Sequence, residues 1–309
     1  MMIDEAILQR YMEESSMRMN EKSQYQVYTN LKQLFGGNDI PLEQMKKQDF
    51  VDIFSKQSIS SSSTFYPYKS KMLDFLIWMK EEGYASDEPL KALQDIRFED
   101  ISRAGIYDAY YFADYNDLFQ AMEVITVNRN DFETFKVAAT LVWLGITLDD
   151  AVDVLKADFD EEAGTIQHPR THEMISLPPI AVGLFTDYKN AVSFESGKFS
   201  GTLMYYKQSD YLLRSYRSEH LTKKNVSRAA VTINQLAEKF DKHFRFVSIY
   251  LSGIYYRLHE YETEHGRIGR TNAELLAAFF GTTIDNPRDR NTLATKYDEY
   301  CDFRDYIYT

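Results

Sequence analysis

At 309 residues the chain is long for one domain and comfortable for two, and its 35 basic against 47 acidic side chains leave a formal net charge of −12. That balance disfavours indiscriminate binding to phosphate backbones or acidic membranes, so any DNA-binding face requires segregated charge. The single cysteine, Cys301, excludes an internal disulfide, and no apolar run approaches the roughly 18 residues of a membrane span, so no membrane partner is expected. The first residues, MMIDEAILQRYMEE, are acidic without a signal-like apolar run, and the expected location is cytoplasmic.

The first third is helical in pattern. Ile7, Tyr11, Tyr25, Tyr28, Leu31 and Phe35 recur at helical steps, and Gly36-Gly37-Asn38 supplies a C-cap and turn. Pro41 opens a short helix leading to Met45, Phe50 and Phe54. The run Ser58 to Ser63 reads as the start of a strongly amphipathic helix carrying Met72, Phe75, Leu76 and Met79. Gly83 and Pro89 close this unit, so a helical domain is expected over 1–90 and a connector, dense in Tyr and Phe, over 91–115.

A second domain is expected over 116–309, beginning with Leu118, Met122 and Ile125 on one helix and Phe132, Phe135, Val137, Ala138, Leu141 and Val142 on a buried one. Gly145 breaks that helix, Thr147 is placed to N-cap the next, Asp149 and Asp150 fall in its first turn, and Ala151, Val154 and Leu155 form its apolar stripe. The period then shortens: Thr165 to His168 and Met174 to Leu177 read as an antiparallel ribbon with Pro169-Arg170-Thr171-His172 in its turn. A helix over Ile180 to Tyr188 and a short alternating run, Leu203 to Tyr206, follow.

A basic, aromatic stretch comes next, Lys207, Tyr211, Arg214, Tyr216, Arg217, Lys223 and Lys224, which suits either phosphate tracking or an ordinary solvated face. The helix over Thr222 to Phe240 is the best amphipathic segment, with Val226, Ala229, Ala230, Ile233, Leu236, Ala237 and Phe240 along one side and Arg228 near its start. Beyond Gly253 and Tyr261 lies a last helix, Asn272 to Phe280, then an aromatic tail with Tyr297, Tyr300, Phe303, Tyr306 and Tyr308. The six histidines show no metal-ligand spacing, and there is no P-loop or GxGxxG, so no cofactor is expected.

The order Trp143, Gly145, Ile146, Asp150, Val154, Asp158, Phe159, Asp160 resembles the first conserved box of the tyrosine recombinases, the phage integrase family, and Asn225 to Arg228 resembles the second. The resemblance implies a mainly α fold with a small antiparallel β ribbon, built as a two-domain clamp from a helical core-binding domain and a catalytic-like domain. It implies that the family's first catalytic arginine falls on Thr147, its histidines on Asn225 and Gly253, its second arginine on Arg228 and its nucleophile near Tyr261, while the ribbon turn carries Arg170 and no lysine. A threonine hydroxyl brings one neutral hydrogen bond where a guanidinium would hold two phosphate oxygens.

The expectation is therefore a degenerate member, not an enzyme, that binds a double-stranded DNA operator. This is similar to the integrase-like repressors that keep temperate phages of the SPbeta group lysogenic, in a bacterial host cell and nucleoid-associated. The candidate DNA-contacting residues are Tyr66, Lys69 and Lys71 by the same resemblance, a solvated helix face being the other reading, together with Arg170, Arg228 and, from the basic stretch itself, Lys207, Arg214, Arg217, Lys223 and Lys224. A homo-oligomer through the aromatic tail and an antirepressor protein or peptide are further candidate partners. The alternative is an active site-specific recombinase using Arg228 and Tyr261.

Overall fold

A computed structural model describes residues 5–15, 27, 29–32, 44–57, 59, 62–124, 130–195, 202–237 and 242–309. The reading of Gly36 to Asn38 as a cap and of Pro41 as a helix start lies outside the described residues. The chain divides into two compact units, Met1–Ile106 and Tyr107–Thr309, a division that falls inside the expected connector.

The first unit contains α1 (Glu5–Ser15), α2 (Lys47–Lys56), α3 (Ser62–Glu81) and α4 (Asp87–Gln94), followed by a 3-10 turn over Phe98–Asp100. The serine run does lead into a helix, since α3 begins at Ser62. Tyr11, Phe50, Phe54, Phe65, Phe75 and Leu76 share one core, which α3 joins with Met72 and Met79 at the spacing the sequence shows. Pro89 does not close the unit: it lies in the first turn of α4, where its missing N–H costs nothing, and Leu93, Ile96 and Ile101 beyond it are buried in this same core.

The second unit contains α5 (Ala104–Tyr110, which straddles the division), α6 (Tyr115–Val124), α7 (Asn130–Trp143), α8 (Leu148–Ala151), α9 (Pro179–Asn190), α10 (Lys223–Ala237), α11 (Phe246–His265), α12 (Ala273–Phe279) and α13 (Pro287–Ile307). Strands β1 (Phe159–Asp160), β2 (Thr165–Gln167) and β3 (Met174–Ser176) pair antiparallel in that order, with Ile166 opposite both Phe159 and Ile175. A separate two-stranded ribbon joins β4 (Ser193–Glu195) to β5 (Leu203–Tyr205). The fold class is mainly α with small antiparallel β elements.

The core of this unit is organised on α7, whose residues 132 and 134–143 are all buried and which packs against α9, α10 and α11. A helix buried on every side must satisfy its own polar side chains. Thr140 Oγ1 donates to the Lys136 carbonyl and lies 2.8 Å from the Tyr115 hydroxyl, while Thr134 pairs with Tyr188 at 2.8 Å. Helix α8 is shorter than its apolar pattern suggests: it ends at Ala151, Val154 turns into the core, and Leu155 is exposed and bridges to Tyr211.

Part of the aromatic stripe of the tail, a candidate oligomer contact in the sequence, is packed within the chain, while Tyr306 is 42% exposed. Tyr297, Tyr300 and Phe303 of α13 are buried in a cluster with Ile254, Tyr255 and Leu258 of α11 and Leu276 of α12. No described helix is long and apolar enough to cross a membrane.

Candidate nucleic-acid interface

Gly145 takes φ +97, which only glycine adopts freely, and turns the chain from α7 into α8. Thr147 then caps α8 as expected: its Oγ1 accepts the Asp150 N–H at 3.3 Å and donates to Asp150 Oδ2 at 2.8 Å. Asp150 is buried, and its other carboxylate oxygen takes the Arg170 guanidinium from the β2–β3 turn. Asp149, exposed beside it, pairs with Lys223 Nζ at 2.7 Å. The place where the resemblance puts an arginine clamp thus holds two carboxylates, each already matched to one of the predicted cations.

Asn225 and Gly253, the two histidine positions, have structural employment. Asn225 Oδ1 accepts the Thr222 N–H at 3.0 Å and the Thr222 hydroxyl at 2.6 Å, and its own N–H returns to Thr222 Oγ1 at 3.4 Å, a reciprocal cap on α10. Gly253 lies where α11 crosses the end of α7. A Cβ there would stand 2.8 Å from the Trp143 carbonyl carbon and 3.2 Å from its Cα, with the carbonyl oxygen closer still. Tyr261 is half-buried, stacked on His265 at 4.4 Å and edge-on to Phe279 at 5.5 Å.

One residue here went unnoticed in the sequence. Arg257, a helical turn beyond Gly253 on α11, donates from Nη1 to the Trp143 carbonyl at 2.8 Å and lays its guanidinium against Gly145. Burial lowers its pKa from the ordinary arginine value, and no carboxylate lies within salt-bridge reach among the described residues. It satisfies an orphan carbonyl at the end of α7. The signal was the four-residue step from a glycine that lets two backbones meet.

Two of the predicted DNA contacts are spent on backbone carbonyls of the chain itself. Arg214 is 2% exposed, and its Nη2 donates to the carbonyls of Tyr188 (3.1 Å), Lys189 (3.2 Å) and Ala191 (2.5 Å) at the end of α9. Its guanidinium also covers the Tyr206 ring at 4.9 Å. Lys69 spends its ammonium on the carbonyls of Gln94 and Ile96 at 2.7 and 2.6 Å, and burial lowers its pKa. The orphan carbonyls at a helix end accept such donors, and a basic side chain read only from sequence cannot be told from a phosphate ligand.

The remaining predicted positions are accessible. Tyr66 is exposed beside Phe65, and Lys71 lies 5.7 Å from the Tyr68 ring centre. Arg170 keeps 71% of its side chain exposed despite its pairing. Lys207, Arg217, Lys224 and Arg228 are all exposed, and none of them has a carboxylate partner among the described residues.

No family model matches the chain, and no curated protein does. Among solved structures it is similar to a dimer of lambda integrase residues 75–356 bound to a COC' core site, with 13% identity over 95% of this chain and 94% of that one and a TM-score of 0.35. It is also similar to XerA recombinase, with 11% identity over 96% and 92% of the two chains and a TM-score of 0.41. A third is the Tn1549 transposon integrase (aa 82–397) in complex with circular intermediate DNA, with 11% identity over 93% and 94% and a TM-score of 0.36.

Proposed function

We propose that this chain binds a double-stranded DNA operator sequence-specifically and acts as a transcriptional repressor that keeps a prophage lysogenic, without cutting or joining strands. The observation that carries the DNA-binding half is charge segregation. Residues 203–228 hold six basic side chains and two acidic ones in a chain of net charge −12, and four of those cations stand exposed with no carboxylate partner among the described residues. Exposed unpaired cations in an otherwise acidic chain are suited to neutralising a few phosphates at a chosen place while the remaining surface repels DNA.

The absence of strand transfer rests on the places of the missing groups. Transfer to tyrosine needs a phosphate clamp, a proton donor for the leaving oxygen and a nucleophile. Thr147 is a cap, Asn225 is a cap, Gly253 has no room for a side chain, and Arg170 answers to Asp150. Each lost transition-state contact costs about 2.7–4 kcal/mol, so several together leave binding without turnover. A small antirepressor protein or peptide is the natural means of relieving such a repressor.

The test is retention of fragments from the host genome and any resident prophage. Retained fragments should be released completely by denaturing detergent, and Tyr261→Phe should retain the same fragments as the wild type. Fragments that stay attached through detergent, and lose that attachment in Tyr261→Phe, would instead establish a recombinase using Arg228 and Tyr261. A chain that retains no duplex at about 50 mM salt, where phosphate contacts are strongest, would point to a protein-interaction module.

Asp149 gives a second test with the opposite sign to an ordinary loss-of-contact mutation. In the free protein it occupies Lys223 at 2.7 Å, so it competes with a phosphate for that ammonium. Asp149→Asn is expected to tighten binding several-fold at 50 mM salt and to steepen the slope of log K against log salt by about 0.9, the value for one added phosphate contact. Titrations at several salt concentrations measure both; an unchanged slope would place Lys223 away from the DNA.

A further inference from the structure

Neither Lys156 nor Lys189 belongs to the basic stretch read from the sequence, yet the fold joins both to the buried Arg214. Residues 154–156 and 210–212 run antiparallel: the Leu212 N–H donates to the Val154 carbonyl at 2.8 Å, Leu155 bridges to Tyr211, and the Lys156 N–H donates to the Asp210 carbonyl at 2.8 Å. Side chains alternate along such a pairing, so Lys156 leaves the backbone on the side of the buried Val154 and Leu212 and is itself half-buried. Three residues on, the Phe159 carbonyl of β1 takes Lys189 Nζ at 3.3 Å, and the same ammonium lies 5.3 Å from the Phe159 ring centre. The Lys189 carbonyl in turn takes Arg214 Nη2 at 3.2 Å. Three cations from the entry to β1, the end of α9 and the segment after Leu212 are thus gathered in one place.

The chain itself does not match their charge. No carboxylate lies within salt-bridge reach of Lys156, Lys189 or Arg214 among the described residues. Arg214 Nη2 is spent on three carbonyls, but Nη1 is buried with no acceptor among the described residues. Burial, then the positive charges of Arg214 and Lys189, hold the Lys156 ammonium below the ordinary lysine value, and the exposed Asp210 carboxylate offsets them only in part. A lysine whose charged form is disfavoured by folding costs stability at neutral pH, because the unfolded chain holds the proton more tightly. Local choices that oppose stability in this way concentrate where a ligand needs them.

We propose that Lys156 and Lys189 hold a phosphate group, with the Arg214 guanidinium behind them supplying field and not contact. Lysine binds phosphate as a point charge with three donors, so two ammoniums can share the oxygens of one phosphate. An anion placed there also relieves the repulsion among the three cations. Arg214, at 2% exposure, does not reach a ligand; it adds positive potential from a poorly solvated position. The phosphate belongs either to a duplex backbone or to a small phosphorylated molecule, and the chemistry of recognition is common to both. The site does not depend on the DNA-binding reading, since its cations are unmatched whichever source supplies the anion.

The experiment is a set of thermal melts of the full chain at pH 7, in chloride and in inorganic phosphate at equal ionic strength, for wild type, Lys156→Met and Lys156→Glu. Lys156→Met keeps the apolar stem and removes the crowded charge, so it should melt at or above wild type in chloride. Lys156→Glu sets a tethered carboxylate among the remaining cations and should melt above wild type. Phosphate stabilises proteins generally by exclusion from their surfaces, so the readout is the excess over the variants. At about ten times the dissociation constant, wild type should gain roughly 3–6 °C more than either variant. An equal gain in all three proteins would overturn the inference. So would a Lys156→Met protein that melts well below wild type in chloride, since the ammonium would then be a structural donor. Binding to a random-sequence duplex at several salt concentrations identifies the source. A slope of log K against log salt that is shallower by about 0.9 in Lys156→Met assigns the phosphate to DNA. An unchanged slope beside an intact excess in the melts assigns it to a small phosphorylated molecule. Wild type that retains no duplex would remove the DNA reading and leave the phosphate melts as the test of this site.

Discussion

Gly253→His is expected to unfold the second unit and not to restore a catalytic group. Helices α7 and α11 meet backbone to backbone at this point, and even the single methyl of Gly253→Ala would place its carbon 2.8 Å from the Trp143 carbonyl carbon. The obstructing atoms are main chain of a helix buried on all sides, so no rotamer can move aside. Glycine in a helix interior costs about 1 kcal/mol relative to alanine, a cost that close approach of the helices offsets. Overpacking of a well-packed core typically costs about 1–3 kcal/mol and occasionally more, and a clash with fixed backbone belongs at the upper end for alanine and beyond it for histidine. Separation of the helices would also break the 2.8 Å bond from Arg257 to Trp143 and expose the guanidinium's seat at Gly145. Thermal melts by circular dichroism decide the matter: Gly253→Ala should melt well below wild type and Gly253→His should be unfolded or insoluble. A Gly253→His protein with the wild-type melting temperature would show that the crossing has slack, and the structural case against strand transfer would lose its strongest member.

The legible part of the chain was whatever periodicity and capping chemistry encode locally. Helix α3 follows from Met72, Phe75, Leu76 and Met79, and the cap at Thr147 from a hydroxyl standing three residues before a carboxylate. Antiparallel pairing of β2 with β3 followed from two short alternating runs around a turn. Long-range employment was not legible. Arg214 and Lys69 look like surface cations until α9 and the end of α4 bring backbone carbonyls to them, and nothing in their neighbours along the chain marks this. Strand β4 was missed because Ser193-Phe194-Glu195 is too short to show a period and is defined by its partner. Gly253 read as a substitution for histidine; only the crossing of α11 over α7 reveals that the position is closed.

Removing Glu262 should produce the largest loss of stability after Gly253. Its carboxylate is buried, yet each oxygen has two donors: Oε1 takes the Tyr297 hydroxyl at 2.6 Å and the Ile268 N–H at 2.9 Å, and Oε2 takes the Tyr300 hydroxyl at 2.9 Å and Arg304 Nη1 at 2.8 Å. That fills the accepting capacity of an ionised carboxylate and ties α13 to α11. Burial alone would raise the Glu262 pKa, but these hydrogen bonds together outweigh it and hold the group below its ordinary value. Taking the carboxylate from such a set strands the Tyr300 hydroxyl and the Ile268 N–H and leaves Arg304 only Asp305 and Tyr297 only the Ile268 carbonyl, and the loss expected for Glu262→Ala is about 3–5 kcal/mol. For a unit of this size that corresponds to a fall in Tm of roughly 6–20 °C. The sign of the pH dependence follows from the lowered pKa. Stability from Glu262 is fully present above the unfolded-state value of about 4.3 and is lost as pH falls through the lower folded-state value. Melts of wild type and Glu262→Gln between about pH 7 and pH 3 should therefore converge at the acid end, because protonation makes the wild type resemble the variant. A constant gap across that range would mean that the carboxylate's charge contributes nothing, and that α13 is held by the packing of Tyr297, Tyr300 and Phe303 alone.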